Sequence, residues 1–400
     1  MRTPSRLTHV PASVGHGMPR RPFVLAIVAH VLFWMSLYAY VPMLSPYARD
    51  LGASMGMIGL IIGAYGFSQM ILRVPIGLWS DRRARRKPFL AWGMLANAAG
   101  AVTLALAPSP WLLVVGRAIT GIGASTFVIA SVHLAEFFPR GMLTRATGTA
   151  VGLSAASQVV IMLVGGAVAD AHAVETTFWI AAILGLLGLL CLIPLPDHPR
   201  ITESSRRRSN VLIRAAMRRS TLVAAAAAAL LQFAQFGLTM AFVPLWGQAL
   251  GATSFDLGLL ATVATAANGL GALALAAVGL RVNGTQAVVF GFLLTGAAAV
   301  AIPLVPDLRT LILVQSIGGF GRGVVFPALM AHSIERAEPS ERATAMGVFQ
   351  GVYALGMFLG PVGAGVIADW LGLEQVFVLV GALMVVGAVV SGRFIRGDVS

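Results

Sequence analysis

The chain has 400 residues, 58% of them hydrophobic and only 11% charged, where a water-soluble domain carries roughly 25% charged residues. That much apolar surface cannot be enclosed in a soluble core of this size, so the composition excludes an ordinary globular domain and predicts an all-α membrane protein with many spans. The net charge of +13 raises nucleic acid as a partner, but the basic residues fall in short stretches between apolar runs, which argues against it; the single cysteine, Cys191, excludes a disulfide framework.

Residues 1–21 form a polar arm with Arg2, Arg6, Arg20 and Arg21. A secretory leader is the competing reading of a basic start before an apolar run. The run from Phe23 to about Leu44 is too long for one and lacks a small-residue cleavage site; Met18 is an alternative start. Apolar segments then follow at about 23–46, 55–79, 88–107, 111–137, 145–169 and 176–195, and again at about 221–249, 255–280, 286–305, 309–335, 343–369 and 374–394. Each reaches the roughly 20 residues needed to cross the hydrocarbon core. The chain therefore divides into the arm, a six-helix bundle over 22–196, a basic linker over 197–220 and a second bundle over 221–396.

The 28 Lys and Arg residues fix the orientation. Arg73, Arg117 and Arg322 lie within segments, Arg49 and Arg309 lie on one side, and all the others fall on the side of the N-terminus. Both termini are therefore expected in the cytoplasm, in a multi-pass protein of the plasma (inner) membrane. The linker carries Arg206, Arg207, Arg208, Arg214, Arg218 and Arg219 around Val211, Leu212 and Ile213. It reads either as an amphipathic helix on the anionic inner leaflet or as a disordered positive-inside connection.

The halves repeat each other. Val41-Pro42 answers Val243-Pro244; Leu51-Gly52-Ala53-Ser54 answers Leu250-Gly251-Ala252-Thr253; His133-x-x-Glu136 answers His332-x-x-Glu335; Arg145 answers Arg342; Ala169-Asp170 answers Ala368-Asp369. Three further stretches carry a resemblance. Gly77-x-x-x-Asp81-Arg82-x-Ala84-Arg85-Arg86 resembles the signature loop between the second and third helices of the major facilitator superfamily, with Ala84 where that family usually has glycine. Arg117-x-x-x-Gly121-x-Gly123 resembles a second motif of the same superfamily. Gly356-x-x-x-Gly360-Pro361-x-x-Ala364-Gly365 resembles the glycine-proline motif of drug:proton antiporters, although it stands in segment 11 and not segment 5.

The resemblance implies an alternating-access transporter of 12 helices in two pseudo-symmetric bundles, acting as a monomer without cofactor or metal. It implies a gate in which Gly77, Asp81, Arg82, Arg85, Arg86 and Glu136 act together. Asp81 would meet the positive end of segment 11 near Ser340 to Ala343, and Glu136 would engage Arg85 or Arg86. The matching place in the second half, Gly279 to Gly284, keeps only Arg281, so the gate is asymmetric. Since segments 1, 4, 7 and 10 line the cavity in this superfamily, His30 and its repeat counterpart Gln232 are expected to face it; the plainer alternative for His30 is an interhelical hydrogen bond.

Ionisable groups at membrane depth are functional candidates by default. Arg322 lies deepest and has no equivalent in the first half; Arg117 matches the family motif tied to proton coupling; Arg73 either functions or caps helix carbonyls beside Pro75. All 15 acids fall in loops or at segment ends, which leaves the interior basic and points to an anionic, zwitterionic or neutral substrate with Arg322 or Arg117 as counter-charge. Histidines are then the groups left to carry protons, His30 first, while His133 and His332 read as local pairs with Glu136 and Glu335. Trp34, Tyr38, Tyr65, Gln69, Gln158, Gln235, Asn268, Gln315, Gln350 and Tyr353 are polar groups at depth, suited to an amphipathic organic solute or to helix–helix hydrogen bonds. Without a phosphate-binding loop or a nucleophile motif, no enzyme is expected. The expected function is proton-coupled efflux of a small organic molecule, with uptake or facilitated exchange of an anionic or zwitterionic metabolite as the alternative.

Overall fold

A computed structural model describes residues 20–83, 85–135, 137–138, 142–195, 218–278, 283–335 and 342–394. The described residues form helices and no strand, as they must where backbone polar groups cannot turn to water. Among them, twelve helices are long and apolar enough to cross a membrane: α1 (Arg21–Asp50), α2 (Met55–Gly77), α3 (Lys87–Ala105), α4 (Pro110–Ala135), α5 (Arg145–Ala171), α6 (Val174–Leu192), α7 (Arg219–Ala249), α8 (Ser254–Val278), α9 (Gly284–Leu304), α10 (Leu308–Glu335), α11 (Ala345–Leu371) and α12 (Leu373–Arg393). They run alternately up and down, so α1 starts on the face that also carries Arg83, Arg85, Lys87, Arg145, Arg219 and Arg393, here called the basic face. Linker residues 197–217, the arm up to residue 19, Ala84, Glu136 and the Ser340 to Glu341 side of the expected gate lie outside the described residues.

The repeat is visible in the backbone. Gly52 and Gly251 take φ of +86° and +84° in the two equivalent Leu-Gly-Ala turns, a conformation that only glycine adopts cheaply. The two Val-Pro pairs mark equivalent interruptions. α1 breaks at Ala39–Tyr40 before Val41, and α7 loosens into a π-helical stretch over Gln235–Phe242 before Val243. Proline has no N–H to return to the carbonyl one turn back. For Pro244 that carbonyl is Met240's, and the Ser45 hydroxyl of α1 donates to it at 3.4 Å from the other bundle. α4 is also interrupted, at Ser125–Thr126, where both hydroxyls donate back to Gly121 and Gly123 carbonyls of their own helix.

The bundles dock through α2 against α11 and α5 against α8. Docking is closest in the half away from the basic face. A Cβ on Gly59 would sit 2.2 Å from the Pro361 carbonyl oxygen, and Gly166 meets Gly258 backbone to backbone. Thr262 donates to the Val159 carbonyl at 3.1 Å in the same region. Toward the basic face the helices part. There Gly77, Gly148, Gly152, Gly269, Gly347 and Gly351 have nothing within 4 Å of where a Cβ would stand.

Candidate central cavity

The parting of the bundles leaves a cavity of about 370 Å³ between them, within the usual range for small-molecule sites. Its first-bundle wall carries Trp34 and Tyr38 from α1, Tyr65, Gln69 and Arg73 from α2, Phe127 from α4, and Val151, Ala155 and Gln158 from α5. Its second-bundle wall carries Leu231, Gln232, Gln235, Phe236, Thr239 and Met240 from α7, Ala264, Thr265, Asn268, Gly269 and Ala272 from α8, Arg322, Phe326 and Pro327 from α10, and Tyr353 and Met357 from α11. The π stretch of α7 supplies four of these, Gln235, Phe236, Thr239 and Met240, and π segments are enriched at functional sites.

Aromatic rings build the body of the site. Trp34 packs between Tyr38 at 5.8 Å and Phe127 at 5.2 Å, and Tyr65 stacks on Phe236 across the bundles at 6.1 Å. Phe326 meets the Tyr353 ring at 5.6 Å. Three polar side chains of the wall, Trp34, Arg73 and Arg322, carry donors only, while its Gln, Asn, Tyr and Thr side chains both donate and accept. The Arg73 guanidinium donates to the Gln69 side-chain carbonyl and to the Tyr353 hydroxyl, and lies 5.4 Å from the centre of the Tyr353 ring. It therefore ties α2 to α11 at the cavity wall. Arg322 is 6% exposed, and among the described residues it makes neither a hydrogen bond nor an ion pair. Among the described residues no carboxylate lines the cavity.

Of the sequence candidates, Trp34, Tyr38, Gln232, Gln235, Arg322 and Tyr353 come together in this cavity. Four others stand elsewhere. His30 is turned to α5, where its Nε2 lies 3.1 Å from the Ala150 carbonyl and 3.0 Å from the Ser154 hydroxyl, and it borders a small separate pocket with His133. The expectation that it faces the central cavity is corrected: α5 crosses α1 at that level and covers the ring. Arg117 is also withdrawn from the walls. It is 3% exposed, stacked 4.4 Å over the Tyr65 ring and donating to the Tyr40 hydroxyl at 3.3 Å. Gln315 is buried, Gln350 is half-buried, and neither lines the cavity.

Of the expected gate, Glu136 lies outside the described residues, and Asp81 and Arg82 are described in backbone only. α2 continues as helix to Arg83, so Asp81 and Arg82 lie in its last turn, but their side chains, like Glu136, are not described. Gly77 faces open space, Arg85 is exposed and Arg86 half-buried. Lys87 has a structural role, donating to the Ile193 and Leu195 carbonyls at the end of α6. His332 pairs with Glu335 at 3.4 Å, one turn along its own helix.

Sequence reading missed the apolar wall, chiefly Phe127, Phe236 and Phe326. Each sits in an apolar run whose period does not distinguish cavity from lipid; the signal was the neighbouring π stretch and Pro327, which only structure reveals as wall.

Two pseudo-symmetric six-helix bundles around a central cavity define a carrier-type membrane transporter. The sequence profile of the Major Facilitator Superfamily matches residues 26–240 and 225–399, and the chain belongs to that superfamily. It is 32% identical over 163 residues to the inner membrane transport protein YajR of Escherichia coli, covering 40% of this chain and 35% of that one. It is 27% identical over 365 residues to the MFS-type transporter STM4428 of Salmonella typhimurium, covering 85% and 87%. The class E tetracycline resistance protein of Escherichia coli matches at 26% over 196 residues, 48% of either chain. The match thus spans about a third of YajR's length and about half of the tetracycline protein's. Among solved structures, a bacterial homolog to the human lysosomal transporter Spinster, inward-facing and occupied, superposes with a TM-score of 0.79 at 18% identity over 96% of this chain and 98% of that one. The nucleoside transporter NupG gives 0.75 at 13% identity over 95% and 100%.

Proposed function

We propose that this protein is a secondary transporter that exports a small organic solute by alternating access, with its basic face and both termini on the cytoplasmic side of the inner membrane. The observation that carries the reading is the central cavity, closed on one face by the α2–α11 and α5–α8 contacts and parted toward the basic face. The excess of Arg on that face supports the orientation, which makes this state inward-facing. Similarity to a tetracycline resistance protein supports export. We assign proton coupling to His30, which joins α1 to α5 through Ala150 and Ser154.

In proteoliposomes, a counterflow screen of small organic solutes should return at least one whose flux requires the protein and rises with an imposed pH gradient. Flux driven by the solute gradient alone, indifferent to pH, would replace this reading with facilitated exchange of an anionic metabolite. That second reading draws its support from a cavity with two arginines and, among the described residues, no carboxylate.

A further inference from the structure

Arg322 carries a charge that nothing among the described residues is placed to answer. It lies in the middle of α10 and is 6% exposed, yet among the described residues it makes no hydrogen bond or ion pair, and its Nε is buried without a partner. A buried guanidinium without a counter-charge is costly, and proteins pair such groups. On α10 the nearest acid toward the basic face is Glu335, about 20 Å along the helix at 1.5 Å per residue; Asp307 is about as far in the other direction. Among the described residues every acid lies at or near a helix end, and the sequence puts the rest outside or at the ends of the twelve apolar segments, so with the helices intact no acid of the segments themselves comes to the depth of Arg322.

Among the other buried wall atoms without a partner, donors outnumber acceptors. Trp34 Nε1, Gln69 Nε2 and Arg73 Nε are buried donors without partners, while the lone acceptor in that condition on the described cavity wall is Gln235 Oε1. Around these donors the walls are aromatic. We propose that the transported solute is an organic anion with a flat apolar body, and that its carboxylate or sulfonate supplies the missing partner of Arg322. This rests on the reading of the cavity as the solute site. Arg117, the other candidate counter-charge, is excluded from direct contact because Tyr40 and Tyr65 enclose it behind the wall.

The test uses the full-length protein in nanodiscs and a charge series on one ring system: 2-naphthoate, neutral 2-naphthamide and 2-naphthylmethylammonium, with sodium chloride alone as the inorganic-anion arm. Binding is read by calorimetry and thermal shift for the wild type, Arg322→Gln and Arg322→Lys, with unliganded midpoint and elution profile confirming that the variants fold. The expected result is naphthoate binding about 10- to 100-fold tighter than naphthamide, the range of charge-assisted hydrogen bonds. That preference should collapse in Arg322→Gln and survive in part in Arg322→Lys. Equal or tighter binding of the amide or the ammonium overturns the anion assignment while leaving the solute site standing. Chloride giving the whole Arg322-dependent stabilisation, with nothing added by naphthoate, overturns it in favour of an inorganic ion. Binding of no member of the series to well-folded wild type counts against the proposal and the cavity reading together.

Discussion

The Asp369 carboxylate accepts the backbone N–H groups of Met55 at 2.9 Å and Gly56 at 2.8 Å, so the end of α11 caps the start of α2 across the two bundles. The contact satisfies two orphan donors of a helix N-terminus and sets a negative charge against its dipole. Among the described residues its repeat counterpart is absent, for a local reason. The start of α8 caps itself, Thr253 N–H donating to Asp256 and Asp256 N–H to the Thr253 hydroxyl, so Asp170 has no such task.

Asp369→Asn should therefore loosen the closed face by about 1 kcal/mol, the usual worth of a cap, shifting the ratio of the two states roughly fivefold toward opening there. Spin labels at Asp50 and Leu371, both exposed, should show a larger long-distance population by double electron–electron resonance. Asp170→Asn should leave that distribution unchanged, and equal responses from the two variants would mean that the two ends are capped alike.

Glycines in the two halves of the docking seam should respond in opposite ways. Gly59→Leu forces a side chain against the Pro361 carbonyl and should lower the thermal midpoint by several degrees. Gly351→Leu meets open space and, by replacing glycine in a helix, should hold or raise the midpoint, since the helix gains up to roughly 1 kcal/mol. If that surface closes during the cycle, Gly351→Leu should nonetheless stop transport while leaving naphthoate binding intact. Full turnover in a well-folded Gly351→Leu protein would show that the surface never closes.

The Arg73–Tyr353 tie joins α2 to α11 inside the cavity. Tyr353→Phe keeps the ring and the cation–π contact but removes the acceptor, leaving part of a buried guanidinium unsatisfied; a cost of about 1–3 kcal/mol is expected. A double-mutant cycle with Arg73→Gln, read as thermal midpoints, should show strong coupling. Additive effects would mean that the two side chains act independently.

His30→Gln should remove the pH-driven part of transport while exchange down a solute gradient continues, because the residue lies outside the cavity walls. Loss of both activities together in a folded protein would make His30 a packing residue between α1 and α5 and sink its coupling role.

The architecture was legible because span length and the near-200-residue repeat both act along the chain. Facing is not. Trp34 and His30 are four residues apart on one side of α1, yet Trp34 borders the cavity and His30 does not, since the crossing of α5 at Ala150 and Ser154 decides which is covered. Arg117 shows the same limit. Its motif marked it, but its enclosure by Tyr40 and Tyr65 depends on how α1 and α2 pack on α4, which no spacing in one helix encodes.

A positive group in a cavity that changes sides is also a voltage sensor. When the cavity opens to the cytoplasm, Arg322 sits at the cytoplasmic potential; when it opens outward, the same charge sits at the outer potential. Moving one elementary charge through 100 mV is worth about 2.3 kcal/mol. An inside-negative membrane therefore resists outward opening of the empty carrier and assists its return. On the proposed reading, an anion bound to Arg322 cancels that one charge, so the loaded carrier moves one positive charge fewer through the field than the empty one. One cycle of the proposed export would then move one negative charge outward, and the membrane voltage itself would help to power the half-cycle in which the protein travels empty.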